Sequence, residues 1–412
     1  PFLEAETHLH GSELHIGLSQ HRFLYDHLME QSEEDQTLWQ VPISLIREGD
    51  TEKGSILMEE RKAEIAWEGE PVAHDGGWLK VNAGQTGFYR VNYSPEDLEK
   101  LQRAVEKQEL PAIDRLGIQN DAYALVRAGH LPATQFLSLS ESYKGEIDTS
   151  VWSDLSTNLR GLENLLSDEP FSSRYRDFAG SLFQQVVEQV GWDAKPGEGH
   201  LDSLLRTTVL GQAGAYGNPQ VISEAQSRFG RFLSDPASLH PDLRGVVYGL
   251  NAQEGDESTY DTLWQLEKNA DLHEERMRLL GALTRFQQTE LLQDVLERSM
   301  SSEVRSQDSV LVLISVAGNR HGKELAWEFI KTNWEELDRR YGRGGFAIMR
   351  LVSITGAFTT SEKAQEVKEF FQEHPAPSAQ RTIQQSLERI GLNVQWLENN
   401  RQGLAGWFAN RG

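Results

Sequence analysis

The stretch WLKVNAGQTGFYRVNYS, residues 78–94, decides how this chain is to be read. Leu79 and Val81 alternate with polar neighbours, as a half-buried strand does. Ala83-Gly84-Gln85-Thr86-Gly87 reads as a turn, and Phe88 to Tyr93 as a returning strand. The pattern stops at Ser94-Pro95-Glu96-Asp97. Serine is a strong N-cap, proline suits the first helical position, and acids in the first turn meet the positive end of the helix dipole. Leu98, Leu101 and Val105 then fall on one helical face. The segment is therefore expected to be a hairpin that closes a β-domain, residues 1–93, and hands over to a helical domain, residues 94–412. A phosphate-cradling loop is the alternative, but the glycines do not match a P-loop and no Lys-Ser/Thr pair follows them.

Upstream the dominant period is two. LHIGLSQHRFLY begins with alternation, WQVPISLIRE follows, and ILMEERKAEIAWE puts Ala63, Ile65 and Trp67 on one face. Turns are expected at Gly49-Asp50, Gly69-Glu70-Pro71 and Asp75-Gly76-Gly77. Short strands at this spacing predict a small β-sandwich. Pro42 cannot donate to a ladder, so it is expected at an edge or a strand start. Downstream the period is 3.6. Ala326, Phe329, Ile330, Trp334 and Leu337 form a stripe, Thr359 and Glu362 a capping box, and Ile383, Leu387, Ile390, Val394 and Leu397 a buried face. Breaks recur at GNPQ, HPDL, GNRHG, GRGGF and HPAPSAQ without a strict sequence repeat. The expected fold is mainly α with an N-terminal all-β domain: a sandwich followed by stacked helical hairpins of the HEAT or armadillo kind, whose curvature would offer a concave surface.

A chain of 412 residues with net charge -23 suits a soluble protein of two or three domains. Such a surface repels phosphate backbones and anionic lipid, so neither nucleic acid nor membrane is an expected partner. It favours cationic ligands, such as the free amino end of a peptide. Without cysteine there are no disulfides or thiolate metal sites, and a cytoplasmic setting is expected. The opening PFLEAETHLH has no signal-peptide core and no initiator Met, and it starts inside a strand pattern; a piece of a longer protein is expected.

Catalytic patterns are absent from the sequence. There is no H-E-x-x-H; in HEERM, His273 has Met277 at i+4, and a solvated helix face is expected. His8 and His10 share a strand face, but with no carboxylate to support them a surface strand pair, not a metal site, is expected. There is no G-x-S-x-G elbow, and GRGGF at 342–346 reads as a helix-to-helix turn.

WLKVNAGQTGFYRVNYS resembles the joint between the β-sandwich and the C-terminal helical domain of the gluzincin zinc aminopeptidases. Matches follow in the same order: LSQHRFL, LWQVPISL, TNLRGLENLL, EVRSQDSV, GKELAWEFIKTNWEEL, RYGRGGFAIMRLV, HPAPSAQRTIQQSLERI and NVQWLENN. The last several are most similar to the puromycin-sensitive branch of that family. In the family, zinc sits in a preceding thermolysin-like domain with H-E-x-x-H, a G-x-M-E-N loop for the substrate's amino end and an oxyanion-stabilising Tyr. None of these motifs occurs here. The resemblance thus implies a non-catalytic part with no cofactor of its own, zinc belonging to the parent's catalytic domain. Its expected partners are peptide substrates and that domain, with weak self-association through the surface the domain would cover.

The resemblance further implies that the helical domain encloses the active-site chamber and contacts the peptide's tail. GRGGFAIMRLV matches a chamber-lining segment, so Phe346 is an expected apolar contact and Arg350 a guanidinium facing carbonyls or a terminal carboxylate. Arg305 is a further candidate. Each has a plainer reading: Phe346 as core, Arg350 paired with a neighbouring helix acid, and Arg305 with Asp308, at i, i+3, in a local helix pair or an inter-helix bridge. At the level of the chain, the alternative is a stand-alone helical-repeat scaffold that binds a partner on its concave face.

Overall fold

The structure is a computed structural model that describes residues 1–10, 13–25, 37–50, 53–67, 77–343 and 345–411. The turns expected at 69–71 and 75–76 lie outside the described residues. The strands are β1 (Phe2–His10), β2 (Glu13–His21), β3 (Val41–Arg47), β4 (Gly54–Met58), β5 (Lys62–Trp67), β6 (Leu79–Val81) and β7 (Arg90–Tyr93). Helices follow: α1 (Pro95–Glu106), α2 (Ala112–Ala128), α3 (Ala133–Glu141), α4 (Thr149–Leu166), α5 (Ser172–Leu182) and α6 (Gln184–Val190). Next come α7 (His200–Ala215), α8 (Pro219–Ser234), α9 (Pro241–Glu254), α10 (Glu257–Asn269), α11 (His273–Leu283) and α12 (Thr289–Ser299). The last are α13 (Ser306–Ala317), α14 (Lys323–Thr332), α15 (Trp334–Tyr341), α16 (Phe346–Ser353), α17 (Ser361–Glu373) and α18 (Gln380–Ala409). The mainly-α fold with an N-terminal β region is as the periodicity predicts.

The chain divides into two compact units. One comprises Pro1–Leu159, Leu182–Gln189 and Asn399–Gly412, the other Arg160–Ser181 and Val190–Glu398. In the first unit, the described strands form a four-stranded sheet in the order β5-β2-β1-β7 and a three-stranded sheet in the order β4-β3-β6. Alternation explains the faces: Leu14, Ile16 and Leu18 are buried, while His15, Gly17 and Ser19 look outward from the same strand. Pro42 sits near the start of the central strand β3, where β6, which pairs only with 45–47, does not reach for its missing N–H.

The hairpin expected at 78–94 is not formed. β6 pairs antiparallel with β3, whereas β7 runs parallel to β1, so the segment crosses from one sheet to the other. Asn82 makes the crossing: its backbone is left-handed (φ 63°), its amide donates to Gly87 O at 3.0 Å, and its Oδ1 accepts from Gly87 N at 2.8 Å. The Tyr93 hydroxyl closes the arch, accepting from Val81 N at 3.0 Å and donating to Val81 O at 3.1 Å. The helix start is as expected: Ser94 Oγ accepts from Asp97 N at 3.2 Å, with Pro95 in the first turn. Asp97 also accepts from Thr7 N at 2.8 Å, tying α1 to β1.

The second unit stacks helical hairpins in two rows. α7, α9, α11, α13 and α16 pack in succession, and α8, α10, α12 and α14 pack against them. Helix C-termini leave carbonyls without intrahelical donors. Here an amide from the next hairpin supplies them. Gln253 donates to Gly214 O at 3.3 Å, Gln287 to Gln253 O at 2.8 Å, and Asn319 to Thr284 O and Phe286 O at 2.9 and 2.8 Å. Asn393 of α18 does the same for Gly356 O and Phe358 O, at 3.1 and 3.0 Å. These rungs give the stack a structural repeat that the sequence does not spell.

The predicted stripe Ala326, Phe329, Ile330, Trp334 and Leu337 is buried, shared between α14 and α15. The cap of α17 is shifted by one residue from the expected Thr359: Thr360 Oγ1 accepts from Lys363 N at 3.3 Å. Of the face expected on α18, Ile390 and Leu397 are buried, while Ile383, Leu387 and Val394 are half-buried; Asn393 and Trp396 are buried beside them.

Candidate functional site

α16 is a short helix entered through Gly345 (φ 111°), a conformation that suits glycine. It buries Ile348, Leu351 and Val352 against its neighbours, which turns its first residue and the position one turn on outward. Phe346 is 80% exposed, so it is not core. Arg350, at i+4, is exposed on the same helix, and no ion pair or hydrogen bond engages its guanidinium among the described residues. An exposed aromatic ring and an unpaired guanidinium one turn apart can take an apolar group and an anionic or carbonyl group together.

Arg305 stands apart from this pair, at the N-terminus of α13. Of its two plainer readings, the inter-helix bridge is formed and the local pair with Asp308 is not. Its Nη1 lies 3.4 Å from His273 Nδ1, and His273 Nε2 lies 3.7 Å from Asp308 Oδ1. His273 therefore links Arg305 to the buried Asp308 across two helices, a role its exposed position in HEERM does not disclose. Tyr341, at the end of α15, donates to Ser306 O at 2.7 Å beside Arg305. The structure places Phe346 and Arg350 together and gives no contact that joins Arg305 to either.

In the first unit, ionisable groups are buried where β6 and β7 meet α2. Lys80 has no exposed surface; its Nζ donates to Val81 O and Asn82 O at 2.5 and 3.3 Å and lies 4.0 Å from Asp114 Oδ1. Burial pushes its ammonium down to about 8, against the opposing pull of Asp121 and Asp114. Asp114 also accepts from Gly84 N at 2.6 Å, and Asp121 from Val91 N and Arg90, both at 3.1 Å. Burial raises the Asp121 carboxyl, opposed by Lys80 and Arg90. These groups are occupied in holding the arch to α2.

The outward face of the four-stranded sheet corrects one expectation. His8 and His15 are directly opposed on β1 and β2, and β5 brings Glu64 alongside through its pairing with Gly17. The supporting carboxylate absent from the local sequence thus arrives from a strand about 50 residues away. Glu64 Oε1 lies 3.1 Å from His15 Nδ1 and 3.5 Å from His8 Nε2. The His15 hydrogen bond holds the exposed Glu64 carboxyl below its ordinary value. Among the described residues, His8, His15 and Glu64 are the group whose ligand atoms, all within 4.8 Å of one another, could hold a metal ion. The cluster borders a groove of about 830 Å³ that runs past Glu4 and Glu6 to Tyr93 and Gln135.

Comparison with known proteins bears on the helical unit and the joint. The family model described as the ERAP1-like C-terminal domain matches residues 78–392, beginning at the first residue of the quoted stretch. Aminopeptidase M1 of Arabidopsis thaliana is 34% identical over 379 residues, covering 88% of this chain and 43% of that protein. Glutamyl aminopeptidase of Bitis rhinoceros is 31% identical over 413 residues, covering 97% of this chain and 42% of that protein. Aminopeptidase 2 of Candida albicans is 26% identical over 398 residues, covering 95% and 42%. The chain spans less than half the length of these relatives.

Proposed function

Because this chain belongs to the family of ERAP1-like C-terminal domains, we propose that it is the non-catalytic C-terminal part of a zinc aminopeptidase, working beside a catalytic domain that supplies the metal. Its role in this reading is to enclose the active-site chamber and to contact the tail of a peptide whose amino end is being trimmed. The matched relatives are aminopeptidases, which supports the reaction class. The observation that carries the tail contact is the outward pair on α16: Phe346 is 80% exposed, and Arg350, one turn away, lacks an acidic partner among the described residues. A cytoplasmic setting and weak self-association belong to the same reading; the fully exposed Phe88 ring supports the latter.

The chain alone is expected to hold peptide weakly. No G-x-M-E-N sequence for the amino end occurs in these residues, and losing about 4 kcal/mol of anchoring costs roughly a thousandfold in affinity. The test is fluorescence anisotropy with a labelled unfolded peptide against the chain and its Arg350→Ala and Phe346→Ala variants. Each substitution is on an exposed face and should leave the melting temperature unchanged while weakening binding about tenfold, a loss of about 1.4 kcal/mol. Unchanged affinity in both variants would remove α16 from the binding surface.

A further inference from the structure

We propose that the outward face of strands β1, β2 and β5 binds one divalent transition-metal ion through His8, His15 and Glu64. The three ligands come from three adjacent strands of one sheet, so an ion there staples β5, at the sheet's end, to β2 and β1. Strand pairing pre-organises them. His8 and His15 are directly opposed, and Glu64 lies on the same face two positions from Ala66, the pairing partner of His15. Gly17 pairs with both Glu6 and Glu64, and a Cβ there would lie 3.2 Å from Glu6 Cγ.

The reach is right for a small ion. A tetrahedral site with bonds near 2.0–2.1 Å has ligand atoms about 3.4 Å apart. The pairs at 3.1 and 3.5 Å already match this, and every ligand separation is within 4.8 Å. His8 and Glu64 have side chains 41% and 61% exposed and can rotate into place, while His15, at 18%, is the fixed point. Water completes the coordination shell. Two imidazoles and a carboxylate select zinc, cobalt, nickel or copper over magnesium or calcium, which prefer all-oxygen shells. Ion binding displaces the His15–Glu64 hydrogen bond.

The experiment titrates the full chain with zinc chloride by calorimetry at pH 7.5, with cobalt absorbance as a second readout and magnesium as the control. One ion per chain is expected, with a tetrahedral or five-coordinate cobalt spectrum, a raised melting temperature and no response to magnesium. The His8→Asn/His15→Asn double variant should keep the wild-type circular dichroism spectrum and lose at least a hundredfold in zinc affinity. Glu64→Gln should lose at least tenfold. Absence of saturable binding in the wild type overturns the proposal. So does zinc binding of unchanged affinity in the folded double variant, which would put the ion elsewhere.

Discussion

Lys80 shows what a single buried charge does in this molecule. It lies in β6 with no exposed surface, held by Val81 O, Asn82 O and the carboxylates of α2. Replacing it with alanine leaves Asp114 buried without its cation, while Asp121 keeps Arg90. Removing one partner of a buried ion pair costs about 3–5 kcal/mol, because the remaining charge is uncompensated. Lys80→Ala is therefore expected to lower urea-unfolding stability by that amount, and Lys80→Ala/Asp114→Asn to recover part of it. A loss below 1 kcal/mol would show that the network does not hold the arch. Arg350 is the opposite case: an exposed cation with no acid against it among the described residues, whose replacement is expected to leave folding unchanged.

At the scale of the element, α17 carries two expectations. Its N-cap is Thr360, whose hydroxyl meets Lys363 N. Losing a threonine cap costs about 1 kcal/mol, so Thr360→Ala should lower stability by that amount while Thr359→Ala stays near neutral in the same denaturant titration. The second expectation concerns pH. Glu366 of α17 accepts from Trp327 Nε1 at 2.8 Å and Lys331 Nζ at 2.7 Å, with Lys363 Nζ at 2.9 Å. Burial works to raise its carboxyl, yet the hydrogen bonds from Lys331, Lys363 and Trp327 prevail and lower it from 4.5 to about 2. A depressed carboxylate contributes stability that is complete above its unfolded value and is lost on acidification. The contribution of Glu366 is thus present above pH 4.5 and fades between pH 4.5 and about 2. Glu366→Gln should flatten the acid limb of a stability-against-pH curve in that window; an unchanged limb would deny the α14–α17 junction this role.

At the scale of the whole molecule, the chain belongs to a family of C-terminal domains and covers 43% or less of the aminopeptidases cited above. No zinc-hydrolase motif occurs in its sequence. The expected outcome for the isolated chain is no hydrolysis of aminoacyl arylamides, with or without added zinc. Turnover abolished by a chelator would overturn that expectation. The His8–His15–Glu64 cluster makes the measurement a stringent one, since metal binding without turnover is the combined expectation.

The sequence by itself determined where strand gives way to helix, because period and cap chemistry are local: Leu14, Ile16 and Leu18 alternate, and Ser94-Pro95 starts a helix whatever lies beyond. It also put Phe346 and Arg350 one turn apart. The tertiary structure alone decided that Phe346 is exposed, that β6 and β7 join different sheets, that His273 stands between Arg305 and Asp308, and that Glu64 meets His15. Each of these depends on which distant segment occupies a hydrogen-bonding edge or a helix face. That choice is fixed by burial and backbone pairing summed over the fold, and no window of a few residues contains it.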